Sequence, residues 1–176
     1  RVRCRRPDES ATGGRGAGDS GFPCQFLFES FYALQLEQLR ASSEPRLAAI
    51  AERTGKEIRY HLRHARQWLI RLGDGTEESQ RRVQRAVDEL WMYTGEMFSR
   101  DDADDAAIEA GLIGDPAALR DPWDRAVGDA LAEATLARPD DAWMAAGGKQ
   151  GRHSEHLGYL LADLQFLQRA YPGASW

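Results

Sequence analysis

From Phe22 onward the apolar residues recur every three or four positions, and no stretch alternates apolar with polar. That spacing puts them on one side of an α-helix, whereas a half-buried strand needs period two. The chain is therefore expected to be all-α, with long antiparallel helices. A first helix is expected over 22–41, with Phe22, Phe26, Glu29, Ala33 and Leu36 on one face. A second is expected over 45–72. Pro45 suits its first turn, its stripe is Leu47, Ile50, Thr54, Ala65, Trp68 and Leu72, and the glycines of "GDG" suit its end. Gly55 inside it costs about 1 kcal/mol relative to Ala, which points to close helix packing.

The third helix is expected over 76–98, with Thr76 as N-cap, Ser79 as the weaker alternative, and Val83, Val87, Leu90, Trp91, Thr94 and Phe98 as its apolar side. "SRDDADD" and "GLIGDPAALRDPW" carry turn signals and read as a connection. A fourth helix is expected over 122–137. A glycine-rich loop follows, and then a fifth helix over 152–171 whose core side is Leu157, Leu160, Leu161, Leu164 and Leu167. Residues 1–21 differ from all of this. Arg, Gly, Ser and Asp dominate them, so a disordered or non-native leader is expected there, and one helical domain over 22–176.

The bulk chemistry narrows the function. A net charge of −5 over 176 residues implies no broad basic surface, so nucleic acid is not an expected partner. No run of about 18 apolar residues stands in the chain, and no membrane span is expected. An N-terminal apolar stretch is also lacking, so no secretory signal is expected. Two cysteines, Cys4 and Cys24, are too few for a disulfide framework or a zinc site, and a reducing, cytoplasmic setting is expected.

The chemistry-bearing stretch is "KEIRYHLRHARQWL", residues 56–69. Glu57, His61 and His64 share one side of a helix, and extending that side reaches Leu47, Ile50, Thr54 and Trp68. The cluster is thus expected on the buried face, with Trp68 in the core, and buried carboxylates and imidazoles need partners. Di-iron carboxylate bundles satisfy them with Glu-x-x-His on two helices and a lone Glu on two others. Here the residue three after Glu57 is Tyr60, not His, while Glu29 stands on the apolar stripe of the first helix as a lone carboxylate. "EHLG" at 155–158 has Gly where a second motif needs His. A hydrogen-bonded polar network without metal, a mononuclear site on Glu57 and His61, and a di-iron site all remain open on spacing. His153, Glu155 and His156 read as surface or capping groups before they read as a metal site.

"RYHLRHA", "RLGDGTEES", "VDELWMYTGEMF", "EHLGYLLA" and the closing "PGASW", in that order and spacing, resemble the C-subunit family (PaaC) of the bacterial ring-1,2-phenylacetyl-CoA epoxidase. The resemblance runs from about Gln25 to Trp176. It implies a ferritin-like helical bundle, in a complex that adds one oxygen atom of O₂ across the ring of phenylacetyl-CoA. It also implies a non-catalytic structural chain. Its partner is then the catalytic A subunit, which holds the di-iron site, and electrons come from NADPH through a reductase subunit. No cofactor is then expected on this chain, and Glu29, Glu57, Tyr60 and His61 become candidates for a vestigial site. The alternative is a di-iron oxygenase or peroxidase with its own metal. Members of that family begin with two further long helices, which residues 1–21 do not resemble. The bundle is therefore expected to lack its first helix pair and to leave an apolar face uncovered.

Overall fold

The longest helix begins where Glu44 turns out of extended backbone and its carboxylate accepts a hydrogen bond from the Arg46 N–H at 3.1 Å. Pro45 fills the first helical position, where a missing N–H costs nothing. In this computed structural model, which describes residues 21–154 and 156–175, that helix is α2 (Pro45–Gly73). It packs along its length against α1 (Gly21–Leu39), with which it forms an α-hairpin. The expected leader lies outside the described residues, except for Gly21, which starts α1. Among the described residues there is no strand. The fold is all-helical, consistent with a ferritin-like helical bundle.

α3 (Glu77–Trp91) opens on Thr76, whose hydroxyl oxygen accepts from the Ser79 N–H at 3.2 Å; Thr76, not Ser79, is the cap. The helix is shorter than expected. It ends at Trp91, and a turn and a 3₁₀ segment, Gly95–Phe98, bring Thr94 and Phe98 into the core by another route. The acidic run expected as connection folds as α4 (Asp102–Glu109). Asp101 and Asp104 form a reciprocal capping box, each carboxylate accepting the other's N–H at 2.9 and 3.0 Å. Gly111, at φ +68°, then stops α4: its own N–H and that of Leu112 reach back to Ile108 and Ala107.

α5 (Arg120–Glu133) begins two residues before the expected start and stops four before the expected end. It brings in Trp123, which lies at the centre of the core and not at the end of a connection. Trp123 is fully buried, donates to the Leu27 carbonyl at 3.0 Å, and meets Trp91 and Phe98 at ring distances of 5.6 and 5.3 Å. Val83, Val87, Leu69, Val127 and Leu131 complete this core between α1, α2, α3 and α5. Trp68 does not belong to it. The ring is half-buried and stacks on Phe22 at 5.3 Å.

The close approach expected at Gly55 falls instead at Gly73. A Cβ on Gly55 would meet only the far end of Arg59, at 3.5 Å. A Cβ on Gly73 would lie 2.2 Å from the Ala134 carbonyl oxygen, so Gly73 is where backbones approach closely. Just beyond, Thr135 takes the left-handed conformation, φ 56°, that ends α5, and its hydroxyl donates to the Gly73 carbonyl at 3.1 Å. The C-terminal ends of α2 and α5 are interlocked there.

The fifth expected helix is two, α6 (His156–Leu164) and α7 (Phe166–Ala170), broken at Gln165. Its leucines are not core. Leu161, Leu164 and Leu167 are 40%, 65% and 49% exposed, and Leu157 and Leu160 are half-buried. Helical period shows that one face is apolar, not that the same chain covers it. The loop ahead of α6 is fastened to the body: the Glu96 carboxylate accepts from the Gly147 and Gly148 N–H groups at 2.8 and 2.5 Å, and Lys149 pairs with Asp104.

Candidate functional site

The buried side of α2 is made mostly of small residues. Ala51, Gly55, Ala65, Leu69 and Gly73 are buried, at spacings of four and ten that keep them on one side of the helix. Polar groups at the edge of this seam meet across it. Glu29, on α1, is 7% exposed. Its Oε1 accepts from Gln25 Nε2 at 3.1 Å and lies 3.4 Å from His61 Nδ1 across the seam. Its Oε2 is buried and has no hydrogen-bond partner among the described residues. The pair is an ion pair only when His61 is protonated.

Glu57 and Tyr60 do not join them. Glu57 is exposed and Tyr60 is 62% exposed. The reason is rotation: at about 100° per residue Glu57 stands roughly 120° from the buried centre of α2, whereas His61 stands on its flank. The expected buried polar face is thus corrected to a single buried carboxylate touching a half-buried imidazole. His64 is also exposed, with its ring edge-on to Phe22 at 5.9 Å, and Phe22 bridges it to Trp68. His153 is exposed, while Glu155 and the side chain of His156 lie outside the described residues.

Four carboxylates and two histidines, the set a di-iron bundle draws on, are not assembled here. Among the described residues no three His, Cys, Asp or Glu side chains are grouped so as to hold a metal ion. Glu29 and His61 supply two donors, and Tyr60, in the register of the missing histidine, faces solvent. These residues do not fit a di-iron centre, and no chemical step is derived through one. A cavity of about 140 Å³ lies one to two turns away between α1 and α2, floored by Ala33, Leu36, Ala51 and Gly55. Arg40 and Arg59 stand at it, Arg40 paired with Glu37 at 3.0 Å; neither Glu29 nor His61 lines it.

A second polar assembly has no signature in the sequence spacing. Asp141 accepts from Trp91 Nε1 at 2.8 Å and pairs with Arg120 and Arg138 at 2.8 and 3.1 Å, while the Arg138 guanidinium lies 4.8 Å from the Trp91 ring centre. Burial pushes the Asp141 carboxyl up, but the Trp91 N–H and the two guanidiniums outweigh it and hold it below the usual carboxylate range. The Lys149 ammonium holds Asp104 below that range as well, against some burial. These contacts fix the loop to the core. Among the described residues no helix is long and apolar enough to cross a membrane.

Comparison with known proteins gives this geometry its family. The family model described as "Phenylacetic acid catabolic protein" matches residues 22–176. Over 152 residues the chain is 43% identical to the C subunit of 1,2-phenylacetyl-CoA epoxidase from Escherichia coli (strain K12), an alignment that takes in 86% of this chain and 61% of that protein. The chain thus spans less than two thirds of the length of the relative it matches. By a family match over nearly the whole of its helical part, the chain belongs to the phenylacetic acid catabolic protein family.

Proposed function

We propose that this chain is a non-catalytic structural subunit of a multicomponent 1,2-phenylacetyl-CoA epoxidase, acting in the cytoplasm in aerobic phenylacetate catabolism. The observation that carries the reading is the 43% identity to a protein named as the C subunit of that enzyme. In this reading residues 22–176 form one partial ferritin-like domain. The catalytic iron pair sits in the A subunit, here called the di-iron subunit, which this chain supports in a hetero-oligomer. NADPH delivers electrons through a reductase subunit. Glu29 and His61, with Glu57 and Tyr60 turned outward, are the remnant of a metal site that no longer has its ligands. The donor count supports this: Glu29 and His61 are two donors where a di-iron bundle draws on six.

Co-expression with the di-iron subunit, followed by size-exclusion chromatography, tests the reading. The two chains are expected to elute together, with epoxidation depending on the iron of the partner. Separate elution would defeat it.

A further inference from the structure

α2 carries seven Lys or Arg against two Glu, a balance of +5 in a chain whose balance is −5. Among the described residues most cations outside α2 are paired: Arg40 with Glu37, Arg81 and Arg82 with Glu78, Arg100 with Asp105, Arg120 and Arg138 with Asp124, and Lys149 with Asp104. On α2, Arg66 pairs with Glu133. Among the described residues Arg46, Arg53, Lys56, Arg59, Arg63 and Arg71 have no ion-pair partner, and all six are exposed. At about 100° per residue, five of them fall within a roughly 100° arc, with Arg59 at its edge. Arg53 and Lys56, Lys56 and Arg59, and Arg59 and Arg63 are like charges three or four residues apart, a repulsion that Glu52 and Glu57, four residues from Lys56 and Arg53, offset in part.

The arc is not only charged. Tyr60 stands in its middle, its ring 6.0 Å from the Arg63 guanidinium carbon, and Ile50 beside it is 57% exposed. Arg and Tyr are among the residues that most often anchor protein interfaces, because they bury large rigid area and keep a polar handle. Glu52 and Glu57 stand at the borders of the arc, so it is positive in excess and not uniformly. An excess of positive charge around an exposed aromatic is stabilised by a partner of opposite sign that also presents apolar surface. A bare polyanion would use the cations and leave Tyr60 and Ile50 wet.

We infer that this face of α2 is a docking surface for an acidic protein surface, and, resting on the reading of the chain as part of the epoxidase complex, for an acidic face of the di-iron subunit. Its test is the affinity of that subunit for the full chain and for Arg53→Glu/Lys56→Glu/Arg63→Glu. All three positions are exposed, so the fold is expected to persist by circular dichroism. The charge-preserving Lys56→Arg/Arg63→Lys and the neutral Arg53→Gln/Arg63→Gln keep the question answerable should triple reversal unfold the chain. Reversal is expected to weaken binding about tenfold or more, neutralisation less, charge preservation little, and about 0.5 M salt is expected to weaken the parent complex similarly. Unchanged affinity across the reversed or neutral variants, with the parent binding the di-iron subunit, overturns this inference alone. A parent that does not bind that subunit at all overturns the proposed function, and this inference with it. Tighter binding of the parent to a short DNA duplex than to the di-iron subunit overturns the assignment to a protein partner.

Discussion

Glu29 and His61 meet across the α1–α2 seam, with Nδ1 3.4 Å from Oε1, while the second oxygen of the same carboxylate is buried without a donor among the described residues. A buried, half-satisfied carboxylate contributes little to stability. Replacing it by an apolar side chain of similar size removes an unmet acceptor along with two moderate contacts. Glu29→Leu is therefore expected to leave thermal stability within about 1 kcal/mol of the parent, or to raise it. Turnover per assembled complex is expected to be unchanged. A melting curve and a rate normalised to complex check both. Glu57→Ala, at an exposed position, is expected to fall within about 0.5 kcal/mol of the parent.

The tryptophans separate core from rim. Trp123 is fully buried and hydrogen-bonded to Leu27, so Trp123→Ala is expected to cost about 3–5 kcal/mol. Trp68 is half-buried against Phe22, and Trp68→Ala is expected to cost about 1–2 kcal/mol in this chain. Denaturant titrations of the two variants would give the order, and the reverse order would rule out the packing described.

Gly55 and Gly73 form a contrasting pair on one helix. Gly55→Ala adds a methyl that meets only the far end of Arg59 at an ordinary contact distance and removes backbone freedom from the unfolded chain, so a gain of up to about 1 kcal/mol is expected. Gly73→Ala drives a methyl into the Ala134 carbonyl, where backbone must move. A loss of about 1–3 kcal/mol or more is expected. Thermal melts of the two single variants check the difference in sign.

Acid is expected to loosen the loop between α5 and α6. Asp104 and Asp141 both have lowered pKa values in the folded chain, so the folded state binds fewer protons than the unfolded state near the ordinary carboxylate value of about 3.9. Their contribution is therefore complete above that value and is lost as pH falls through the folded values. Tryptophan fluorescence should report it, because Asp141 holds the Trp91 indole N–H. Asp141→Asn is expected to flatten the acid limb of the titration.

The sequence is most legible where structure is local. Pro45 and Thr76 mark helix starts because a first turn is governed by its own few residues, and both starts stand where expected. Glu29 is legible as a buried group because it falls on the apolar period of α1. α4 is hidden because the capping pair Asp101 and Asp104 lies within an acidic run that also reads as a turn. The roles of Gly55 and Gly73 cannot be read from α2 alone, since what decides them is the carbonyl of Ala134 beyond another helix. The outward turn of Glu57 and Tyr60 is hidden for a related reason. A 29-residue amphipathic helix admits a rotation of its buried arc, and the small residues Ala51, Gly55, Ala65 and Gly73 set that arc, not the aromatic ones.

Above all, this chain is read as supporting chemistry that another chain of the complex performs. The decisive measurement is metal analysis of the purified chain, expressed with iron in excess and without the di-iron subunit. Iron is expected far below one atom per chain, and to appear in proportion to the di-iron subunit once the two are combined. About two irons per chain in the absence of that partner would refute the reading.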